Sequence, residues 1–176
     1  MAGPDLASIK LVGLDVDGVL TDGRIIIDNE GRETKNFHSR DGLGLKILLR
    51  LGLEVVLITA RSSRLLEIRA RELGLTEVYQ KVDDKWAVFE KVLKNKGLRP
   101  NEVAFAGDDL IDLPVLTRVG LALAPADAVP EVLAAAHFVA QAPGGRGAVR
   151  QMAEFILKGQ DRWDEVLRFY QPQAPA

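Results

Sequence analysis

Two aspartates one residue apart close an apolar run in Lys10-Leu-Val-Gly-Leu-Asp-Val-Asp-Gly-Val-Leu-Thr-Asp22. A short apolar run bounded by turn residues predicts a buried strand, and Gly18 predicts that the chain leaves the sheet just after Asp17. On a continuing strand Asp15 and Asp17 would point the same way. Like charges that close are unfavourable unless a cation sits between them or one carboxyl holds a proton, and both outcomes are useful in catalysis. Asp and Gly are also ordinary turn residues. This stretch alone is therefore equally a strand followed by an Asp-Gly turn.

Three more stretches carry polar groups at comparable places. Leu53-Glu-Val-Val-Leu-Ile-Thr59 is strand-like and ends in a hydroxyl. Lys85 follows Asp83 and Asp84 at the head of a helical pattern through Trp86, Val88, Phe89, Val92 and Leu93. The aspartates are ordinary caps there, whereas a cation in a first turn opposes the helix macrodipole, which points to an anion that Lys85 serves. Glu102-Val-Ala-Phe-Ala106 leads into Gly107-Asp-Asp-Leu-Ile-Asp112, a third strand end loaded with acid.

Strands alternating with helices predict an α/β domain, a mainly parallel sheet covered on both faces, with ligands bound beyond the carboxyl ends of the strands. Asp15, Asp17, Thr59, Lys85, Asp108 and Asp109 all fall at those ends. Hard oxygens bind Mg²⁺ while Thr and Lys bind phosphate oxygens, so the set has the parts for a metal ion and a phosphoryl group. There is no GxGxxG after the first strand for a dinucleotide and no GxxxxGK[ST] for a nucleoside triphosphate.

The elements that must hold this set are legible from pattern. Arg24 to Phe37 reads as a β-hairpin turning at Asp28 to Gly31, with Ile25 to Ile27 apolar on both faces and in need of cover. Asp41 is placed as the cap of a helix through Leu43, Leu45, Ile47, Leu48 and Leu51 that ends at Gly52. Ser62 or Ser63 starts a helix with an apolar face of Leu65, Leu66, Ile68 and Leu73, ended by Gly74. Glu77 to Gln80 is a weak strand, Leu121 to Ala124 and Phe138 to Ala140 are short ones, and Pro130 to Ala136 is helical. The glycines around Arg146 predict a mobile loop carrying one charge. A helix follows through Val149, Met152, Phe155 and Ile156, then a last one from Asp161 to Tyr170, and a disordered tail is expected from Pro172.

The 176 residues suit one domain, placed at 1–176 with the hairpin at about 23–37 and the tail from about 160. A net charge of −2 gives no electrostatic reason to expect nucleic acid or an anionic membrane. With no cysteine there is neither disulfide nor thiolate metal site, which fits a reducing cytoplasm. The sequence shows no signal-peptide pattern and its apolar runs are strand-length, so the expected location is cytoplasmic.

Asp-Val-Asp-Gly-Val-Leu-Thr-Asp at 15–22, Thr59, Lys85 and Gly-Asp-Asp at 107–109 resemble, in order, the motifs of the haloacid dehalogenase superfamily of phosphatases. Within it, Arg40-Asp-Gly42, Ile58-Thr-Ala-Arg61, Gly107 to Asp112 and Gly144-Gly-Arg-Gly-Ala-Val-Arg150 resemble the 3-deoxy-D-manno-octulosonate 8-phosphate phosphatases, over roughly residues 9–158. One departure is Ala60, where that pattern has glycine. The resemblance implies a Rossmann-like three-layer sandwich, an Asp15 nucleophile, Asp17 as acid and base, and Mg²⁺ on the Asp15 carboxylate, the Asp17 carbonyl and Asp108. It gives Thr59 and Lys85 the phosphoryl oxygens and puts Asp109 and Asp112 behind them, orienting water or Lys85.

Many relatives insert a cap domain, but only the hairpin lies between Asp17 and the first helix, so the chain reads as capless. An open site selects poorly among sugar phosphates; a neighbouring subunit is expected to cover it, and the resemblance implies a homotetramer. Arg61 and Arg69, which match the family positions under this resemblance, and Arg146 from the glycine loop are expected to bind the carboxylate of a sugar acid phosphate, arginine's fork of donors being suited to it. Another sugar acid phosphate, such as a sialic-acid-type 9-phosphate, stays open as substrate. A signalling receiver domain uses similar groups but carries its phospho-accepting aspartate after the third strand, and Glu77 to Gln80 ends without one.

Overall fold

In the computed structural model, which describes residues 3–171, six strands form one parallel sheet. They are β1 (Leu11–Leu14), β4 (Glu54–Ile58), β5 (Glu77–Tyr79), β6 (Val103–Ala106), β7 (Leu121–Ala124) and β8 (Phe138–Val139), in the order β5-β4-β1-β6-β7-β8. The remaining pair, β2 (Ile26–Ile27) and β3 (Glu33–Thr34), makes the antiparallel hairpin expected between the first strand and the first helix.

The sheet is buried on both faces, which is why its strands read as continuous apolar runs. Alternation sorts them between two cores. Val12, Leu14, Val55, Leu57, Ala104, Ala106, Leu121 and Leu123 face one layer. That layer holds α1 (Ser39–Arg50), α2 (Arg64–Leu73), α6 (Ala148–Gly159) and α7 (Trp163–Tyr170). Leu11, Val56, Ile58, Val103, Phe105 and Ala122 face the other, with α3 (Lys85–Lys96), α4 (Leu113–Leu116) and α5 (Pro130–Ala135). Gly13 stands mid-strand because Phe105 and Phe89 occupy its second face: a methyl group there would lie 2.6 Å from the Phe105 ring.

The sheet is built outward in both directions from β1, which pairs with β4 on one side and β6 on the other. The strand order therefore reverses between β1 and β6. That is the switch point at which such sheets open a crevice, and Asp15 and Asp108 stand on its two sides.

Three local expectations are corrected. Asp41 does not cap its own helix, whose N-cap is His38; it lies buried in the first turn and accepts from Gly147 N at 3.0 Å and Arg150 N at 2.8 Å, capping α6 instead. Helix periodicity located the residue but not the helix whose free N–H groups it satisfies. Ile68 is exposed, the inward face of α2 being Leu66, Ala70 and Leu73. The loop around Arg146 is packed rather than free: a methyl on Gly144 would lie 1.8 Å from the Gly18 carbonyl oxygen, and Gly145 N donates to Val19 O at 2.9 Å. Its glycines permit close backbone approach to the turn after β1. The tail expected from Pro172 lies outside the described residues.

Candidate active site

Asp15 extends β1 by one residue, its N–H donating to Ala106 O at 2.9 Å, and its side chain is buried. Lys85 enters from the start of α3, whose cap is Asp84 accepting from Ala87 N at 2.9 Å. The Lys85 ammonium donates to Asp15 Oδ1 at 2.7 Å and to Asp112 Oδ1 at 2.6 Å. These carboxylates are the anions that explain a cation placed against the helix dipole. Asp112, with no exposure at all, uses its second oxygen to accept from Asp108 N at 3.0 Å and Asp109 N at 3.3 Å. One buried acid thus fixes both the lysine and the turn that presents Asp108.

Gly18 completes the pocket. Its φ of +100° suits glycine, and a methyl group on it would lie 2.0 Å from Asp108 Oδ2, so the Asp108 carboxylate rests against the backbone next to Asp17. Asp15, Asp108 and Asp112 each present an oxygen within 4.8 Å of the others.

Two buried carboxylates, Asp15 and Asp112, share the one lysine, the half-buried Asp108 stands beside them without a base of its own, and the imbalance shows in their protonation. Burial, opposed by Lys85 and reinforced by Asp112, pushes the Asp15 carboxyl up to about 6. Burial and then the charges of Asp15 and Asp112 push Asp108 up to about 8. For Lys85, burial acts downward, but the two carboxylates outweigh it and raise it. A hard divalent cation fits this oxygen cluster. Because both Asp112 oxygens are committed, Asp15 and Asp108 are the side chains free to hold it.

Thr59 follows the end of β4 beside β1 and is buried; its hydroxyl oxygen accepts from Arg61 N at 3.2 Å. Asp17 is paired with Lys35 of the hairpin, through an ion pair from Lys35 Nζ to Asp17 Oδ1. Arg61 Nε lies 3.9 Å from Asp17 Oδ2, while Arg61 Nη2 donates to Glu33 at 2.8 Å. Glu33 also accepts from the Ser63 hydroxyl at 3.0 Å. Asp109 is exposed and accepts from Leu110 N at 2.7 Å, whereas Asp112 is the acid that reaches Lys85.

The three expected arginines pair with different carboxylates, Arg61 with Glu33. Arg69 is paired with Glu72 at 2.9 Å and lies against Phe37 and Gly42, while Arg146 is 59% exposed and 3.7 Å from Asp22. Ala60 is exposed. Lys35 and Glu33 were not legible as site residues, because charged hairpin positions read as solvated. One signal existed: Glu33, Lys35 and Phe37 share a face at period two, and Phe37 packs on the core.

A family profile of haloacid dehalogenase-like hydrolases matches residues 57–150. The chain is 46% identical over 156 residues to 3-deoxy-D-manno-octulosonate 8-phosphate phosphatase KdsC of Yersinia pestis, covering 89% of this chain and 83% of that protein. It is 44% identical to KdsC of Escherichia coli K12, covering 90% and 85%. Among solved structures, that of the 3-deoxy-D-manno-octulosonate 8-phosphate phosphatase from Moraxella catarrhalis, in complex with magnesium ion, phosphate ion and KDO, superposes with a TM-score of 0.92. It is 38% identical, covering 95% of this chain and 96% of that one. A receiver domain is thereby excluded. The chain belongs to the haloacid dehalogenase-like hydrolases and, within them, to the family of 3-deoxy-D-manno-octulosonate 8-phosphate phosphatases.

Proposed function

We propose that this chain is a Mg²⁺-dependent phosphomonoesterase that hydrolyses 3-deoxy-D-manno-octulosonate 8-phosphate to the free sugar acid and phosphate. The observation that carries the reading is the Lys85 ammonium on Asp15 Oδ1, which aims a buried carboxylate at the crevice between β1 and β6. Asp15 attacks phosphorus as the bond to the sugar oxygen breaks, forming an aspartyl-phosphate. Asp17 gives a proton to the departing oxygen. It then takes one from water as that water attacks the aspartyl-phosphate, which releases phosphate and restores Asp15. Thr59 and Lys85 bind the phosphoryl oxygens.

Asp15, the Asp17 carbonyl and Asp108 would hold Mg²⁺. When bound, the ion neutralises charge that would otherwise repel an anionic substrate from anionic side chains. Arg61, Arg69 and Arg146 are assigned to the substrate carboxylate. Each pairs with a different carboxylate within the chain, Glu33, Glu72 and Asp22, and the assignment goes with a tetramer in which a neighbouring subunit completes and covers the capless site. The hairpin supports this: Ile25, Ile26 and Ile27 are 59%, 40% and 58% exposed, an apolar patch in need of a partner. Among the described residues no helix is long and apolar enough to cross a membrane, and with a cysteine-free sequence we take the enzyme to be a single domain working in the cytoplasm.

The test is phosphate release over a panel of sugar phosphates and sugar acid phosphates, with and without Mg²⁺, and with Asp15→Asn as control. The eight-carbon sugar acid 8-phosphate is expected to be the best substrate and the variant silent; release by Asp15→Asn at the wild-type rate overturns the mechanism. A preference for a nine-carbon acid 9-phosphate would reassign the substrate and leave the chemistry. Gel filtration reads the assembly, and a clean monomer with full selectivity would remove the borrowed lid.

A further inference from the structure

Lys35 stands outside every motif that identifies the family reading, yet its side chain is 3% exposed, close to the 1% of Lys85. A buried ammonium is costly unless paired, and its partners are Asp17 Oδ1 and, at 3.9 Å, Glu33 Oε1. Glu33 in turn holds Arg61 at 2.8 Å and Ser63 at 3.0 Å. Through these contacts the return strand of the hairpin is fastened to the rim of the site, and the fastening point on the catalytic side is the Asp17 carboxylate.

We infer that Lys35 is a positioning residue for Asp17, resting on the proton-transfer role proposed for that aspartate. By taking Oδ1 it fixes the rotamer of a side chain that is otherwise 18% exposed on a turn. Oδ2, which among the described residues accepts no hydrogen bond and has Arg61 Nε at 3.9 Å, is left as the oxygen that hands its proton to the leaving group. As the phosphorus–oxygen bond breaks, the proton moves from Asp17 Oδ2 to the sugar oxygen. Lys35 takes no part in that transfer; it sets where the transfer happens. A correctly placed acid contributes a rate factor that a loose one forfeits.

The experiment is a double-mutant cycle. Lys35→Met is made in the wild-type and Asp17→Asn backgrounds, and kcat/KM is measured for an alkyl phosphate, the sugar acid phosphate, and for p-nitrophenyl phosphate, whose leaving group needs no proton. With Asp17 present, Lys35→Met is expected to cost roughly tenfold or more on the alkyl ester and distinctly less on the aryl ester. In the Asp17→Asn background it should cost less than about twofold, because residues that act through one another are not additive. The same loss in both backgrounds, or on both esters, overturns the inference, since a merely structural lysine would lower all four alike. If Lys35→Met does not fold, Lys35→Arg is put through the same cycle with the same criterion. Asp15→Asn measured alongside separates the two readings: activity surviving in that variant sinks the enzyme mechanism, whereas additive Lys35 effects over a silent Asp15→Asn sink only this one.

Discussion

Both ends of the sheet carry ion pairs, and they are built to opposite specifications. At the amino end of the strands, Lys10 meets Glu102 at 2.6 Å, and Lys96 spans Glu54 of β4 and Glu77 of β5. Each acid there has a base, most of the groups touch water, and the Glu102 carboxyl, bonded by Lys10 and the Arg99 backbone, is held down at about 2. At the carboxyl end, Asp15 and Asp112 share Lys85, Asp108 stands beside them with no base of its own, and Asp15 and Asp108 are pushed up instead. Both ends set lysine against carboxylates, glutamates at the first and aspartates at the second. The ratio of acid to base and the depth of burial separate an edge that staples strands together from one left short of positive charge.

The sharpest way to break the comparison is to remove one acid from each end. Asp112→Asn leaves a buried lysine half paired, and losing a partner of a buried pair costs about 3 kcal/mol or more. Urea unfolding at neutral pH should show it. Glu54→Gln, at a pair whose acid is 48% exposed, should stay within about 1 kcal/mol. Equal losses would mean that burial does not distinguish the two edges.

Next in size is Gly18→Ala. The added methyl meets Asp108 Oδ2 at 2.0 Å in a backbone conformation unfavourable to alanine. Displacing Asp108 or the turn by about an ångström is expected to lower kcat roughly 10²-fold, with a weaker Mg²⁺ requirement curve as the companion readout. A variant of near wild-type rate would show that Asp108 need not rest on that backbone.

What was legible before the structure divides along a physical line. The parallel strands, the main helices and the acid-loaded strand ends depend on periodicity and on local punctuation, and Asp15, Lys85 and Asp108 stand where a sheet of this kind must bring them. Contacts that join elements distant in sequence left no local mark. Asp41 looks like a cap in any window, but the N–H groups it accepts belong to a helix more than a hundred residues on. Gly144 and Gly145 look like flexible punctuation until the turn at Gly18 to Thr21 is laid against them. Lys35 looks solvated until the hairpin folds back on Asp17. Sequence pattern reports what a segment does to itself, and these residues serve a neighbour.

The imbalance at the carboxyl end also predicts a direction with pH. A proton held by Asp108 up to about 8 competes with a metal for the same oxygen. Mg²⁺ affinity should therefore rise with pH and fall by up to about tenfold per unit below 8. Calorimetry in two buffers of different ionisation enthalpy should detect proton release on binding at about pH 7. Binding without proton release would mean that Asp108 is already ionised and the cluster less crowded than its geometry indicates.

The smallest effect belongs to the stapling end. Glu102 has its folded-state carboxyl at about 2 against an ordinary 4.5, so its charge stabilises the fold above the ordinary value, and that stabilisation is lost as pH falls from there through about 2. Glu102→Gln should therefore lower the melting temperature at about pH 7, by less than Asp112→Asn does, and the gap from wild type should close between about pH 4.5 and 2. Its kcat should equal that of the wild type, since the residue sits at the opposite end of the strands from Asp15. A gap that persists at about pH 2 would assign the effect to the hydrogen bond with Arg99 N rather than to charge, and a fall in kcat would mean that the two ends of the sheet are coupled through β1 and β6.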